Sequence, residues 1–368
     1  MSRKIAFIGL DVHKDTITIA LATGRNDVVD VGTIVHDVPR LLRKLRQIER
    51  QGYELRCCYE AGPTGFGLYR RLNESGISCE VIAPSLIPKQ SGNRIKTDRR
   101  DARNLAHHFR SAGLTPIYVP DESTEAIRDL ERAREDAKKA EKVARSHLGK
   151  FLLRQDRRWT GKSYWTKGHM DWIRSQKFEE EAHQWVLVDY IETLQRATER
   201  VEELTQRIAE QVETWSLQPL VKALQSFRGI QLVTAVVVAA ELGDLKRFPT
   251  APELMAYLGL VPGEYSSGEK TKRGRITRTG NEHVRWILVE SAWNYRFKPR
   301  MSHPIRKRNE GVAPGVRRIA WAAQKRLHLK YTRQRRRGKA PQNVVTSVAR
   351  ELAGFIWAVG QEKQLLES

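Results

Sequence analysis

Ile5-Ala-Phe-Ile-Gly-Leu-Asp11 decides the fold, because it is a short apolar, β-rich run that ends on a carboxylate. A second such run, residues 16–22, follows after only His13-Lys14-Asp15, which is the spacing of an antiparallel hairpin. Residues 28–35 supply a third strand. Residues 39–51 then switch to helical periodicity, with Leu41, Leu42, Leu45 and Ile48 on one side. Further on, strand 55–60, helix 66–74, strand 78–83 and helix 97–111 alternate.

Three hairpin-linked strands followed by alternating helices and strands predict an α/β RNase H-like domain over residues 1–120. The first strand is central in that order, so Asp11 opens onto the catalytic edge. Glu60 ends the run Leu55-Arg-Cys-Cys-Tyr-Glu60, and Asp98 and Asp101 lie three apart in Lys96-Thr-Asp-Arg-Arg-Asp-Ala102. Residues three apart share a helix face. Carboxylates from two strand ends and one helix face are the hard oxygen donors that Mg²⁺ takes, with Mn²⁺ able to substitute. Two such ions activate a nucleophile and stabilise a leaving oxygen in phosphoryl transfer. Asp98 and Asp101 alone are better explained as acids at a helix N-terminus. Their conjunction with Asp11 and Glu60 is what predicts a metal site. Asp15, in the hairpin turn, reads as solvated.

This acidic cluster sits in a basic protein. The 368 residues include 65 lysines and arginines against 43 aspartates and glutamates, a net charge of +22 and a pI near 10.1. Such a field favours polyanions, nucleic acid first. No apolar stretch approaches the length of a membrane span, and the N-terminal run does not read as a signal peptide. A cytoplasmic, nucleoid-associated protein without a membrane partner is expected. Cys57, Cys58 and Cys79 lie in or beside apolar runs without zinc-ligand spacing, and their odd number argues for reduced core thiols.

Residues 121–215 read as almost wholly helical. From Ile191 to Val212 apolar residues recur three and four apart, which predicts a long amphipathic or coiled-coil helix acting as a spacer or a homodimer seam. Trp159, Trp165, Trp172 and Trp185 fall in this segment, with helical core packing as the default and base stacking as the alternative. A composition change near Leu217 opens a mainly α region, 216–300, with an apolar helix from Phe227 through Ala240, a short helix 254–260, a polar loop 262–280 and a helix 282–295. Residues 301–368 form a basic helical tail with an apolar-faced helix over 344–359. Lys272, Arg273, Arg275 and Arg278 in the loop, and Arg335, Arg336 and Arg337 in the tail, are suited to phosphate contact. A solvated basic surface is the plain alternative. His107 and His108 read as helix surface or packing.

Ile8-Gly-Leu-Asp-Val-His-Lys14, Tyr59-Glu-Ala-Gly62 and Asn93-Arg-Ile-Lys-Thr-Asp-Arg-Arg-Asp-Ala102 together resemble the RuvC-like domain of DEDD transposases. These bacterial insertion-sequence recombinases join such a domain to a separate C-terminal transposase domain. The likeness continues through Phe151-Leu-Leu-Arg154, the Trp165…Trp172 spacing, Phe227-Arg-Gly-Ile-Gln-Leu-Val-Thr-Ala235, Tyr257-Leu-Gly-Leu-Val-Pro262 and Gly274-Arg-Ile-Thr-Arg-Thr-Gly-Asn281. The resemblance implies that Asp11, Glu60, Asp98 and Asp101 bind the metal. It also implies a catalytic serine just before a glycine in the loop after Leu-Gly-Leu-x-Pro. In Pro262-Gly-Glu-Tyr-Ser-Ser-Gly268 that residue is Ser267, with Ser266 in reserve; viewed without the family, the segment is simply a turn. The resemblance further implies a covalent phosphoserine on DNA, a homodimer or homotetramer, and a structured guide RNA encoded in noncoding sequence of the element. Arg228-Gly-Ile-Gln resembles the hairpin of helix-hairpin-helix modules, with Gln231 in place of the usual second glycine, and a plain helix N-terminus is the equal alternative.

The expected function is therefore a transposase that cuts and rejoins DNA at insertion-sequence ends. A metal-dependent DNA nuclease or Holliday-junction resolvase is the nearest rival, since it needs the four acids but not Ser267. A sugar kinase or actin-like ATPase shares the opening Ile-Gly-Leu-Asp but requires a second glycine-rich phosphate loop, which is not evident. A non-catalytic nucleic-acid binder has no need of all four acids and the serine.

Overall fold

A computed structural model describes residues 4–24, 28–88, 97–267 and 270–365, with backbone alone at 265–267 and 270–273. The first part of the Asn93–Ala102 motif, before Thr97, lies outside the described residues. The chain divides into two compact units, 1–119 and 120–368.

The first unit contains β1 (Lys4–Val12), β2 (Thr16–Thr23), β3 (Val29–Val35), α1 (Val38–Glu49), β4 (Tyr53–Glu60), α2 (Gly67–Glu74), β5 (Ser78–Ile82) and α3 (Asp98–Arg110). The sheet order is β3-β2-β1-β4-β5, so β1 is central. β1–β2 and β2–β3 are antiparallel hairpin pairs, whereas β1, β4 and β5 run parallel. Alternate residues of a strand point to opposite faces. On one face Ala6, Ile8 and Leu10 of β1 join Leu41, Leu45 and Ile48 of α1 and Leu68 and Leu72 of α2 in a single core. Each of these large aliphatic side chains contributes about 1.5–3 kcal/mol on full burial. On the other face Ala20 and Ala22 of β2 meet Ala102 and Ala106 of α3, and Cys58 and Ile82 meet Leu105. All three cysteines are buried and free, and burial pushes their thiols well up.

The α3 face is built from small residues so that the helix can come close. A Cβ on Gly9 would sit inside the van der Waals radii of the Ala102 carbonyl oxygen and the Ala106 nitrogen, both of them helix backbone. Gly9 thus lets α3 lie directly on β1.

The second unit begins with α4 (Glu122–Arg154), α5 (Lys167–Arg174) and α6 (Glu181–Val212). Leu187, Leu194, Val201 and Ile208 are buried at seven-residue intervals along α6, and Ala137, Glu141, Ala144, Leu148 and Phe151 are buried along α4. The stripe expected to form a spacer or a homodimer seam is covered by α4 of the same chain. Trp165 and Trp172 pack against the core between these helices, Trp159 lies 5.5 Å from Trp172, and Trp185 is exposed.

Then follow α7 (Gln218–Leu224), α8 (Leu232–Leu242), α9 (Ala251–Tyr257), β6 (Pro262–Ser267), β7 (Lys270–Ile276), α10 (Glu282–Ala292), α11 (His303–Arg308), α12 (Pro314–Arg336) and α13 (Pro341–Gly360). One core runs through them, with Phe227, Val236, Leu258, Leu288, Val316, Leu352 and Ile356 all buried. Residues 301–368, set apart in sequence by their charge, give α12 and α13 to this core. The apolar helix expected from Phe227 starts only at Leu232, because the chain turns first through Gly229 at φ +84°. The expected polar loop 262–280 is largely a hairpin, in which β6 and β7 pair from Pro262↔Ile276 to Ser267↔Lys270. Its lysines, arginines and glycines are poor strand formers, which hides the pairing from a local reading. Among the described residues, no helix is long and apolar enough to cross a membrane.

Candidate active site

β1 and β4 are paired through Leu10 and Tyr59, so Asp11 and Glu60 come next at the same end of adjacent strands. Asp11 follows Gly9, and Glu60 follows Cys58, by two residues. Strand alternation therefore puts both acids on the α3 face. Thr97 Oγ1 accepts the Arg100 N–H at 3.3 Å and caps α3, leaving Asp98 and Asp101 in its first turn. The packing of Ala102 and Ala106 on β1 brings that turn to the strand end. Asp30 of β3 adds a lateral tie, with Arg99 Nε at 3.3 Å and Arg103 Nη1 at 3.2 Å from its Oδ2.

The side chains that converge are Asp11, Asp98 and His13. His13 Nε2 lies 3.1 Å from Asp11 Oδ2 and 3.6 Å from Asp98 Oδ1. One ligand atom from each of the three falls within 4.8 Å of the others, so together they can hold a divalent cation. Asp101, one turn along, is close enough for its charge to act on Asp11. Glu60 is exposed at its strand end and outside this trio. Burial pushes the Asp11 carboxyl above the usual carboxylate range. His13 opposes that push by charge and hydrogen bond, while Asp101 and Asp98 add to it.

His13 is the residue that sequence reasoning passed over. Its signal was its place two residues after Asp11, which directs both side chains to one side of an extended chain. The hairpin turn holds it there: the His13 N–H donates to Thr16 O at 2.8 Å, and His36 Nδ1–H donates to His13 O at 2.6 Å. Asp15 is exposed in the turn.

In the second unit the β6–β7 hairpin is anchored at its base. Gly259 and Gly280 have φ of +61° and +72°, and a Cβ on either would strike backbone, Thr279 O in one case and Tyr257 O in the other. Arg285 is buried beneath and donates through Nη1 to Leu258 O at 2.9 Å and Thr279 O at 3.0 Å. Ser266 and Ser267 lie in β6, opposite Thr271 and Lys270. The side chains of both serines, and of Lys272 and Arg273, lie outside the described residues. Arg275 and Arg278 are exposed, as are Arg335, Arg336 and Arg337 around the C-terminal end of α12. Cations there also complement the helix dipole. Arg228 donates to Phe297 O and Lys298 O at 3.2 and 2.7 Å, which commits its guanidinium to packing within the unit.

Acids thus gather at a central strand end under a capped helix, and a separate helical unit with a basic hairpin follows in the chain. Residues 8–154 match a family model described as a transposase, and residues 221–306 match the transposase IS116/IS110/IS902 family. The chain is 45% identical over 359 residues to a Sinorhizobium fredii protein named as transposase y4qE, covering 97% of this chain and 89% of the relative. It is 32% identical over 336 residues to the transposase for insertion sequence element IS1533 of Leptospira borgpetersenii, covering 90% and 96%. The chain belongs to the IS116/IS110/IS902 family of transposases. It is an enzyme that acts on DNA.

Proposed function

We propose that this transposase excises and rejoins DNA at insertion-sequence ends, binding Mg²⁺ or Mn²⁺ on Asp11, Glu60, Asp98 and Asp101 and using Ser267 as its nucleophile. The convergence of Asp11 and Asp98 on His13 Nε2, from separate parts of the chain, carries this reading. The crowded carboxylates suit a hard divalent cation. The strand order β3-β2-β1-β4-β5 supports an RNase H-like, RuvC-like first unit. The seven-residue spacing on α6 supports an intrachain coiled coil with α4.

Mg²⁺ held there would neutralise charge on the phosphate and stabilise the departing oxygen. The chain's own residues do the rest. His13 keeps the Asp11 and Asp98 carboxylates turned toward one point. Ser267 gives up its proton, its oxygen bonds to phosphorus, and the sugar oxygen leaves with a proton. A hydroxyl of another DNA end then attacks the phosphoserine, and Ser267 recovers its proton. Phosphodiester energy is conserved throughout, so no ATP is consumed. Lys272, Arg273, Arg275 and Arg278 on β7 and just after it would grip phosphates beside Ser267, and Arg335, Arg336 and Arg337 would add contacts independent of sequence. A structured guide RNA from the element, and a homodimer or homotetramer, complete the proposal. A charge of +22 suits both RNA and DNA.

Excision and circle formation in cells, from the gene with its native flanking DNA, tests this. Wild type runs beside Asp11→Asn and Ser267→Ala, and junctions are read by sequencing. Junctions lost in both variants are expected. Junctions that survive Ser267→Ala would sink the serine and leave Ser266 or water as the nucleophile, water being the reaction of a nuclease or resolvase.

A further inference from the structure

The tryptophans of the helical segment play no part in that chemistry, yet one of them lines a cleft. Arg145, Trp165, Met170, Arg174, Leu194 and Thr198 surround a cavity of about 220 Å³ between α4, α5 and α6. Trp165, Met170 and Leu194 give it apolar walls, Arg145 and Arg174 bring two cations, the latter 3.5 Å from Asp171, and Gln195 donates to the Glu199 carboxylate at 2.9 Å along the same lining. Sites for drug-sized molecules run to about 300–1,000 Å³, so this cavity suits a single ring system.

The Trp165 ring is held in place at some cost. Its backbone is left-handed, at φ +61°, in a conformation that costs a bulky residue about 1–3 kcal/mol and that clusters at binding sites. The Trp165 backbone N–H donates to Nδ1 of His169 at 2.9 Å. His169 is itself 3% exposed and stacks on Trp172 with ring centroids 5.8 Å apart and planes 13° apart. Burial holds His169 below its ordinary pKa, which keeps a lone pair on Nδ1 for that bond. Arg145 lies over the Trp165 ring, 5.5 Å from its centroid, and pairs with Glu141. Its Nε is buried without a hydrogen-bond acceptor. The surrounding stretch, residues 150–177, has eight lysines and arginines against two aspartates.

A nucleotide combines a flat ring that stacks on tryptophan with an anion for an arginine. Bases within a duplex are already stacked and paired, so the ring must come from a single strand. We propose that this cavity binds one unpaired base of single-stranded nucleic acid against Trp165, with Arg174 on the adjoining phosphate. The site shares no residue with the acidic cluster or the serine hairpin, and its test needs no DNA cleavage.

The test is fluorescence anisotropy of full-length protein with a short labelled single-stranded DNA, its RNA counterpart and the matching duplex. Trp165→Ala should weaken single-strand binding about five- to a hundredfold, the loss of one base–aromatic stack, with duplex binding unchanged. Thr198→Phe, which fills the cavity and leaves Trp165 in place, should do the same and guards against a folding defect in the first variant. A loss with DNA alone or RNA alone supports the site and identifies its strand. Wild-type affinity for both single strands in Thr198→Phe, or an equal loss on the duplex, overturns it.

Discussion

Asp11 and Glu241 are both shielded carboxylates in a basic protein, and their surroundings are opposite. Glu241, on α8, is 6% exposed and is met by Arg132 Nη2 at 2.9 Å, Arg128 Nε at 3.6 Å and Asn281 Nδ2 at 2.9 Å. Burial pushes its carboxyl up, but Arg128, Asn281 and Arg132 outweigh that and hold it below the usual range. The same Asn281 side chain caps α10, its Oδ1 accepting the Val284 N–H at 2.9 Å. At Asp11 burial has the same sign, His13 opposes it, two further acids push the same way, and the net shift is upward. The first arrangement is complete within the fold and joins α4, α8 and the start of α10. The second crowds carboxylates at a strand end, an arrangement that suits the cation proposed there.

The contrast breaks most sharply at Asp11. Asp11→Asn should cut DNA excision about a thousandfold, since the metal proposed there would supply several kcal/mol of transition-state stabilisation. Thermal unfolding in metal-free buffer should not fall, because the substitution removes a repelled charge. A fall in melting temperature with excision intact would make Asp11 part of the scaffold. Glu241→Ala should do the reverse. It leaves Arg128, 9% exposed, without its counter-charge, and should cost about 3–5 kcal/mol in urea unfolding. Stability near wild type would mean that the ionic network holds nothing together.

Legibility in the sequence follows the same division. The first unit was readable because each strand and helix declares itself by local periodicity, and because Asp11 and Glu60 terminate apolar runs. Gly9 explains why the α3 acids arrive at that edge, but a glycine in a strand signals a close approach without naming the partner. His13 was hidden in a turn. In the second unit the stripe on α6 was legible and its cover, α4, was not, because amphipathicity specifies a face and not what lies against it. The β6–β7 hairpin was masked by charge and glycine. The Glu241 network joins residues more than a hundred positions apart in sequence, so no window along the chain contains it.

Gly9→Ala sharpens the comparison from the side of packing. The added methyl meets α3 backbone, which cannot swing aside as a side chain does, so overpacking should cost about 1–3 kcal/mol. It should also displace Asp98 and Asp101 from Asp11, lowering excision beyond what the lost stability explains. Excision that falls only in step with the folded fraction would separate the α3 contact from the acid geometry.

The smallest effect expected is one of pH, in the second unit. His283, at the start of α10, has Glu131 Oε2 3.3 Å from Nε2 and Glu135 Oε2 3.4 Å from Nδ1. The Glu131 carboxylate, though angled off the Nε2–H line, is the strongest upward push on the imidazole; burial opposes it, and the charges of Glu131, Glu135 and Glu241 reinforce it. A folded-state pKa above the ordinary 6.5 means that the folded protein binds the proton more tightly than the unfolded chain. The resulting stability is fully present below 6.5 and is lost as pH rises through the raised value. Stability measured by urea unfolding should therefore decline across that window in wild type and flatten in His283→Gln, with excision chemistry at the acidic cluster unaffected. An unchanged slope in the variant would show that Glu131 and Glu135 are balanced by Arg132, Lys139 and solvent rather than by an imidazolium.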